Sequence, residues 1–241
     1  MRKLLLAALA VVALPGVAQA EQWVMPTWGV ESVQAHDPTL IPEVWAVDTA
    51  GLDGPWRMFK SFHVFSHTKL PVGTGVVYDN EPYGNTPRRE LRHPRAYMKA
   101  FVQLAHERGL VAMLAPARTI AKYDRTCDVL AFTRCGYSRV RADYFLLQSQ
   151  RLECDLARFG QFVQHATTAA RSTLIVELTV AWADECVTVE QVLAAYDVGR
   201  GFTDHIALWS GPGEQFRAWD VQQAMLVDIL RSIYPAEGGT E

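Results

Sequence analysis

One pattern repeats along the chain: from Gly75 onward, short apolar runs rich in β-forming residues alternate with longer amphipathic stretches. Successive runs begin about 30 to 35 residues apart, which is the length of a strand followed by a crossover helix. Near-continuous apolar runs are typical of parallel strands that are buried on both faces. The clear runs cover residues 75–78, 110–115, 144–148, 174–180 and 205–209.

The stretches between these runs carry helix signals. Pro94 stands at a favoured first helical position and Gly109 follows the last apolar residue of the same stretch, so a helix is predicted between them. Thr188, with Gln191 three residues later, is a capping-box pattern that predicts the start of another helix. Further helices are predicted over 156–170 and over about 216–233.

Alternating strands and helices predict an α/β fold in which helices cover a parallel sheet. No G-x-G-x-x-G loop follows a strand, which argues against an open nucleotide-binding sheet. Three more strands are predicted near 23–27, 44–48 and 62–66, giving eight. Because residues 21–241 are fewer than the roughly 250 of a full barrel, we expect one compact or irregular TIM-like (β/α) barrel domain.

The first twenty residues have the pattern of a cleavable signal peptide. Arg2 and Lys3 precede an apolar run over 4–14, and small residues end the segment at Ala20. The apolar run is about half of the roughly 20 residues that a membrane span requires. We therefore expect cleavage after Ala20, no membrane anchor, and a protein secreted into the periplasm or the medium.

The charge excludes some partners. Cleavage removes two of the 23 basic residues and leaves 21 against 26 acidic ones, a net charge of −5. A mildly acidic chain without a basic run has no electrostatic footprint for nucleic acid or for an anionic membrane. We expect neither partner, and we expect a monomer.

The cysteines predict disulfides. An even number in an exported chain favours pairing, and the spacing fits neither a zinc site nor a C-x-x-C redox pair. Three pairings remain open, because sequence alone does not choose among them. The four residues are Cys127, Cys135, Cys154 and Cys186.

Acidic residues follow the first clear strand. In α/β folds of this kind the site lies at the carboxyl ends of the strands. Asp79 and Glu81 point the same way because side chains alternate along a strand. Neighbouring carboxylates raise the pKa of at least one of them, as a general acid requires at neutral pH. Glu81 is the expected general acid, Asp79 would tune Glu81 or orient the substrate, and Glu177 is the alternative second carboxylate.

Other strand ends supply groups that bind sugars. Gln148 and Gln150 share a face at the end of one run, Arg118 follows another, and Trp209 ends the last. Amides bind sugar hydroxyls, an indole packs on the apolar sugar face, and a carboxyl pair transfers protons at a glycosidic bond. With Tyr78, these residues predict a carbohydrate site, so we expect a glycoside hydrolase that uses no cofactor and no metal.

Two alternatives stay open. The first is a non-catalytic barrel that binds carbohydrate. The second is a metal-dependent phosphodiesterase that uses Asp79, Glu81 and a histidine, with His63 or His67 in reach if 62–66 is the neighbouring strand. A serine hydrolase would need a G-x-S-x-G elbow, and the chain contains none.

Several segments carry a family resemblance. The segment Val76-Val77-Tyr78-Asp79-Asn80-Glu81 is followed by Thr86-Pro87, by the helix from Pro94, and by Gly109-Leu110 with Ala115-Pro116. Together these segments resemble a group of uncharacterised secreted bacterial proteins, which are themselves similar to glycoside-hydrolase TIM barrels. The likeness covers most of residues 76–209 and implies a barrel fold and hydrolysis of glycosidic bonds.

A narrower resemblance is to the family 18 chitinases, which end a strand in D-x-x-D-x-D-x-E. It implies that Glu81 matches the acid of that motif and Asp79 the carboxylate before it. Val77 and Thr74 stand where the family has its two earlier aspartates. Trp209 would match the tryptophan at the floor of the sugar pocket.

Overall fold

The computed structural model describes residues 22–37, 40, 44–48, 56–82, 86–124, 135–183, 186–211 and 216–235. Within these residues there are eight strands, seven α-helices and a short 3-10 helix at Arg118–Lys122. The strands are β1 (Gln22–Pro26), β2 (Val44–Asp48), β3 (Trp56–Phe59), β4 (Gly75–Tyr78), β5 (Val111–Leu114), β6 (Tyr144–Gln148), β7 (Thr173–Thr179) and β8 (His205–Trp209). The helices are α1 (Thr27–His36), α2 (Phe62–His67), α3 (Arg88–Arg92), α4 (Pro94–Glu107), α5 (Leu156–Ala169), α6 (Val189–Arg200) and α7 (Trp219–Ile233).

The sheet is parallel throughout, and neighbours in sequence are neighbours in the sheet. The first strand, β1, pairs with β2 on one side and with β8 on the other, so the sheet curls round until its two ends meet. The predicted α/β fold with a parallel sheet is confirmed.

The pairing between β5 and β6 is short, and we call it the seam. Its register contains two residue pairs, Met113 with Tyr144 and Leu114 with Phe145, whereas β6 and β7 share five. Asp143 extends it at the lower end: its carboxylate accepts a 2.8 Å bond from the backbone N–H of Ala112, and its own N–H donates to the Ala112 carbonyl over 3.1 Å. The Asp143 side chain therefore continues the hydrogen bonding between β5 and β6 beyond the last backbone residue pair.

Alternation along the strands divides the apolar residues into two layers. Odd positions of β4 such as Val77 pack inside the barrel, while Val76 and Tyr78 pack outward against the helices. The inner layer consists of Val24, Trp56, Val77, Met113, Ala115, Leu146, Ile175 and Ala207, together with the partly buried Met58, Val111 and Tyr144. The outer layer is larger because it also covers the buried faces of the helices.

The helix signals of the sequence correspond to real helix ends. Pro94 begins α4, and Gly109 follows its end with φ +67, in the left-handed region that favours glycine. Thr188 accepts a 3.2 Å bond from the N–H of Gln191 and so caps α6. The side chain of Gln191 does not return to Thr188; it donates to the Glu153 carbonyl instead.

The predicted strand at 62–66 is wrong, because this segment forms helix α2 and the strand lies earlier, at β3. Tertiary packing decides the outcome. Phe65 is fully buried with its ring 4.2 Å from that of Phe101, which places it on a helix facing α4. Trp56 takes the inner position opposite Gly75, where a Cβ would lie 2.4 Å from the indole.

One predicted disulfide is present between Cys154 and Cys186, with Cα atoms 5.3 Å apart. It joins the segments that follow β6 and β7. Cys135 is also disulfide-bonded, whereas Cys127 and the predicted signal peptide lie outside the described residues. In the part of the chain that the structure describes, no helix is both long and apolar enough to cross a membrane.

Candidate functional site

The carboxyl-terminal end of the barrel, which we call the mouth, is polar because the inner positions change character there. Two residues beyond each of five inner-layer positions, the strand presents a polar or aromatic side chain in place of an apolar one. The step runs from Met58 to Lys60, Val77 to Asp79, Leu146 to Gln148, Ile175 to Glu177, and Ala207 to Trp209. Alternation along the strands thus brings these side chains together above the apolar interior.

Asp79 is the central carboxyl of the mouth and is only 4% exposed. The Gln148 amide donates to Asp79 Oδ1 over 3.1 Å, and Lys60 Nζ lies 3.5 Å from Oδ2. Burial, followed by repulsion from Glu81, raises the pKa of Asp79 to about 7. These two effects outweigh the attraction of Lys60 and the amide bond, so Asp79 exchanges a proton near neutral pH.

Glu81 forms the mouth's clearest ion pair. Lys60 Nζ lies 2.8 Å from Glu81 Oε2, and the Glu81 side chain is 28% exposed. Burial disfavours the charge on Lys60, but Asp79 and Glu81 outweigh that effect and raise the pKa of Lys60. The backbone N–H of Glu81 donates to Thr86 Oγ1 over 3.1 Å, which holds Thr86 beside Glu81.

Glu177 is the deepest carboxyl on the opposite side of the mouth. It is 4% exposed, and the Gln150 amide donates to its Oε1 over 2.6 Å. Burial raises the pKa of Glu177 well above its usual range, and repulsion from Asp79 and Glu81 adds to the effect, although the Gln150 bond opposes it. Glu177 therefore holds its proton at pH values where an exposed glutamate has lost it.

An aromatic wall lies at the ends of β7 and β8, beside Glu177. The rings of Trp209 and Trp182 meet Phe216 edge-on, with centroids 5.0 and 4.8 Å apart. Arg151 stacks over Trp182 at 5.2 Å, and Trp28 Nε1 donates to the Ser210 carbonyl. The mouth thus combines buried carboxyls with aromatic rings, as sugar-binding sites commonly do.

A small apolar cavity lies beneath the mouth. It has a volume of about 40 Å³ and is bounded above by Glu177 and Trp209. Most of its remaining lining is inner-layer side chains such as Met58 and Met113. This volume admits only a few water molecules. A larger ligand must therefore lie above the cavity, among the carboxyls of the mouth and the aromatic wall.

Six of the eight side chains predicted from sequence meet at this mouth, and two do not. Tyr78 is fully buried in the outer layer, where its hydroxyl donates to Glu90 Oε2 over 2.6 Å, because it alternates with Asp79 and faces the helices. Arg118 lies behind the mouth and donates to the Gln150 carbonyl over 3.2 Å. Burial and nearby Arg158 lower the pKa of Arg118.

Two residues near the mouth were missed from sequence. Lys60 can be assigned to the mouth only when β3 is placed at Trp56–Phe59, because side-chain alternation then puts Lys60 on the same face as Met58. Glu153 is fully buried between β6 and β7 and accepts a 3.0 Å bond from the Thr179 N–H. Burial raises its pKa to about 7. No periodic pattern marks Glu153, since it follows its strand in an irregular segment.

The histidines of the metal-dependent alternative do not reach the mouth. His63 and His67 lie one turn apart on α2, with ring centroids 4.4 Å apart, and both are exposed. Lys60, rather than a histidine, faces Asp79 and Glu81. Among the described residues no group of three or more histidine, cysteine, aspartate or glutamate side chains is arranged to hold a metal ion.

Comparison with known proteins adds no assignment: no family model matches the chain, and no curated protein matches it in sequence. The chemistry of the mouth must therefore be judged from its own residues.

Proposed function

We propose that the protein is a secreted, TIM-like (β/α)-barrel hydrolase that cleaves a glycosidic bond at the mouth. The observation that carries the proposal is the meeting of Asp79, Glu81 and Glu177 at one barrel end in unlike environments. Glycoside hydrolysis needs one carboxyl that holds a proton and another that is ionised. The closed ring of parallel strands supports the barrel class, and the disulfide between Cys154 and Cys186 is compatible with export.

The surroundings assign roles that differ from those expected from sequence. Glu177 is the proposed general acid because burial keeps it protonated. Glu81 is the most exposed of the three and forms the ion pair with Lys60, so it is the proposed carboxylate partner. Asp79 lies between these two roles and adjusts the local charge as it gains or loses a proton.

The proposed reaction balances with water as the co-reactant. Glu177 donates its proton to the glycosidic oxygen as the bond from that oxygen to the anomeric carbon breaks. The hydroxyl of a water molecule joins the anomeric carbon, either directly or after Glu81 has formed and released a covalent sugar intermediate. The remaining water proton passes to a carboxylate of the mouth, which restores the acid for the next cycle.

The aromatic wall supports a sugar as the ligand. Trp209 offers an aromatic ring against which a pyranose ring can pack, near carboxyls and amides that can bind hydroxyl groups. Such an arrangement suits a ring with one apolar face and polar edges better than it suits a wholly apolar molecule. Binding of a sugar at this wall without hydrolysis would instead indicate the alternative of a non-catalytic carbohydrate-binding protein.

A hydrolysis screen over a panel of glycans tests the proposal, with Glu177→Gln as the diagnostic variant. We expect at least one glycan to be cleaved and the variant to lose roughly 10²- to 10⁴-fold in kcat/KM, the usual contribution of a general acid. Glu31→Gln, an exposed substitution on α1, is the matched control and should keep full activity. Binding without cleavage of any panel member, or full activity in Glu177→Gln, would overturn the proposal.

A further inference from the structure

Although no continuous run of basic residues marks the sequence, a dense basic surface adjoins the mouth of this otherwise acidic protein. Helix α3 and the first turns of α4 expose six basic side chains within twelve residues, and we call them the basic corner. They are Arg88, Arg89, Arg92, His93, Arg95 and Lys99. No ion pair links any of these six to another residue of the described chain. The chain as a whole carries a net charge of −3, so positive charge is concentrated here.

The one acid within this segment is turned inward. Glu90 is fully buried and accepts bonds from Ser61 Oγ at 3.2 Å, from the Phe62 N–H at 2.9 Å and from Tyr78 Oη. These hydrogen bonds hold α3 against the ends of β3 and β4. The buried Glu90 side chain therefore does not pair with the exposed basic side chains of the same segment. The same bonds fix the basic corner beside the mouth.

The spacing of the cations works against helix stability. Arg88 and Arg92 lie four residues apart on α3, and Arg95 and Lys99 lie four residues apart on α4. Like charges at this spacing are neighbours on the helix surface, and their repulsion destabilises the helix. An anionic ligand would remove that repulsion, whereas a purely structural role does not account for it.

A groove runs beside the basic corner. It has a volume of about 340 Å³ and is lined by His93, Pro94, Arg95, Ala96, Lys99 and Asp124. The carboxylate of Asp124 forms the acidic part of the wall, and Tyr137 Oη donates to it over 2.7 Å. The guanidinium of Arg95 lies beside Gly136, where a Cβ would be 3.7 Å from the Arg95 Cζ.

We propose that the basic corner and its groove bind an acidic polysaccharide, through carboxylate or sulfate groups carried on successive sugars. The Cβ atoms of residues four apart on a helix lie roughly 5–6 Å apart, so neighbouring cations can each reach a separate anionic group of one polymer chain, and arginine matches both anions bidentately. The hydrogen bond from Glu81 to Thr86 brings the start of α3 against the mouth. A chain bound along the basic corner would continue towards the carboxylates, so the inference deepens the proposed function and rests on it for the ligand's role as substrate.

Affinity electrophoresis tests the proposal directly. Intact protein is run in native gels that contain polygalacturonate, dextran sulfate or uncharged dextran. We expect retardation by one or both anionic polymers and none by dextran, with the retardation weakening as salt is raised. The two anionic gels separate carboxylate from sulfate recognition, because a protein selective for one is retarded mainly in that gel.

Charge-reversal variants connect binding to this surface. Arg92→Glu/Arg95→Glu should weaken retardation about tenfold or more. The control Arg171→Glu/Arg231→Glu carries the same charge change at exposed positions elsewhere and should bind as the unaltered protein does. Equal weakening in both double variants, or retardation by uncharged dextran, would overturn the proposal. Circular dichroism confirms that each variant folds.

Two further arms separate this proposal from its rivals and from the proposed function. Equal affinity for duplex DNA or for phosphatidylglycerol vesicles would overturn a polysaccharide-specific surface. Glu177→Gln should be retarded as strongly as the unaltered protein, since it leaves the basic corner intact. Retardation that persists without hydrolysis of any glycan would refute the proposed function and leave the anion-binding surface standing.

Discussion

Gln150 and Glu177 are joined by a hydrogen bond of 2.6 Å that crosses from the segment after β6 to β7. The bond gives a buried carboxyl a fixed direction at the mouth. The donor lies just beyond β6, the neighbour of the acceptor's strand, so the orientation of Glu177 depends on the two segments staying in register.

We predict that Gln150→Leu raises the pKa of Glu177 further, because the amide bond lowers that pKa at present. The unsatisfied buried carboxyl should also lower the free energy of unfolding by about 1–3 kcal/mol. Carbon-13 NMR titration of the carboxyl and urea unfolding measure the two effects. Gln103→Leu is the matched control, since Gln103 donates to Glu107 over 2.8 Å on an exposed helix face. Equal losses in the two variants would contradict the assignment.

The pH dependence of stability should depend partly on Asp79. Its pKa is about 7 in the folded protein against 3.8 for the free side chain, so the folded state binds more protons between these values. Stability should therefore fall as pH rises from about 4 to 7 and level off above, by an amount on the order of a few kcal/mol. Melting temperatures across pH 4 to 8 measure this slope.

Asp79→Asn should flatten the slope, and it should raise stability at pH 8 relative to the unaltered protein. Glu153 and Glu177 have raised pKa values for the same reason, so part of the slope should remain. Asp228→Asn, an exposed change on α7, should leave the slope as it was. An unchanged slope in Asp79→Asn would mean that Asp79 ionises freely in the folded protein.

Gly75 should not tolerate a side chain. A Cβ at this position would lie 2.4 Å from the ring of Trp56, which is buried and packs edge-on to Tyr144. We expect Gly75→Ala to destabilise the protein by about 1–3 kcal/mol through overpacking, with a change in tryptophan fluorescence.

Gly160→Ala is the comparison, because Gly160 lies within helix α5 and its Cβ would make only an ordinary contact, 3.4 Å from Val198 of α6. Alanine is the better helix former, so this variant should be neutral or stabilising by up to about 1 kcal/mol. If Gly75→Ala proved as stable as Gly160→Ala, the contact between Trp56 and Gly75 would be looser than the structure describes.

Removal of the disulfide between Cys154 and Cys186 should loosen the mouth as well as the fold. The bond closes a loop with a sequence separation of 32. The variant Cys154→Ala/Cys186→Ala should lose about 2–4 kcal/mol in urea unfolding under non-reducing conditions. Limited proteolysis should also cut first within the segments after β6 and β7, and an unchanged cleavage pattern would argue against a bracing role.

The fold could be predicted from sequence where strand and helix periods were strong. The strands β4, β6 and β8 match the predicted runs, and alternation correctly grouped Asp79 with Glu81 on β4. The error at 62–66 arose because Phe62, Val64 and Phe65 are all β-forming residues in a short run, while contacts distant in sequence make the segment helical. Local pattern does not contain those contacts.

The site was harder to predict for two physical reasons. The position of Lys60 depends on the correct placement of β3, and that placement depends on the fit between Trp56 and Gly75. The burial of Glu153 depends on neighbouring segments, including α6, from which Gln191 reaches its carbonyl. Strand ends indicated where the mouth lies, but pairings across the barrel determine which of its acids hold a proton.

Because the seam is short, its stability should depend on whether a ligand occupies the mouth. Gln148 donates from one amide nitrogen to Asp79 and to the Ala115 carbonyl, which joins β6 to the chain beyond β5. Ligand binding that steadies Asp79 would also steady this link, and the free energy of opening the seam would rise with it. Deuterium would then replace the amide hydrogens of Ala112 and Asp143 more slowly in the occupied protein, at the far end of the short pairing from the bound molecule.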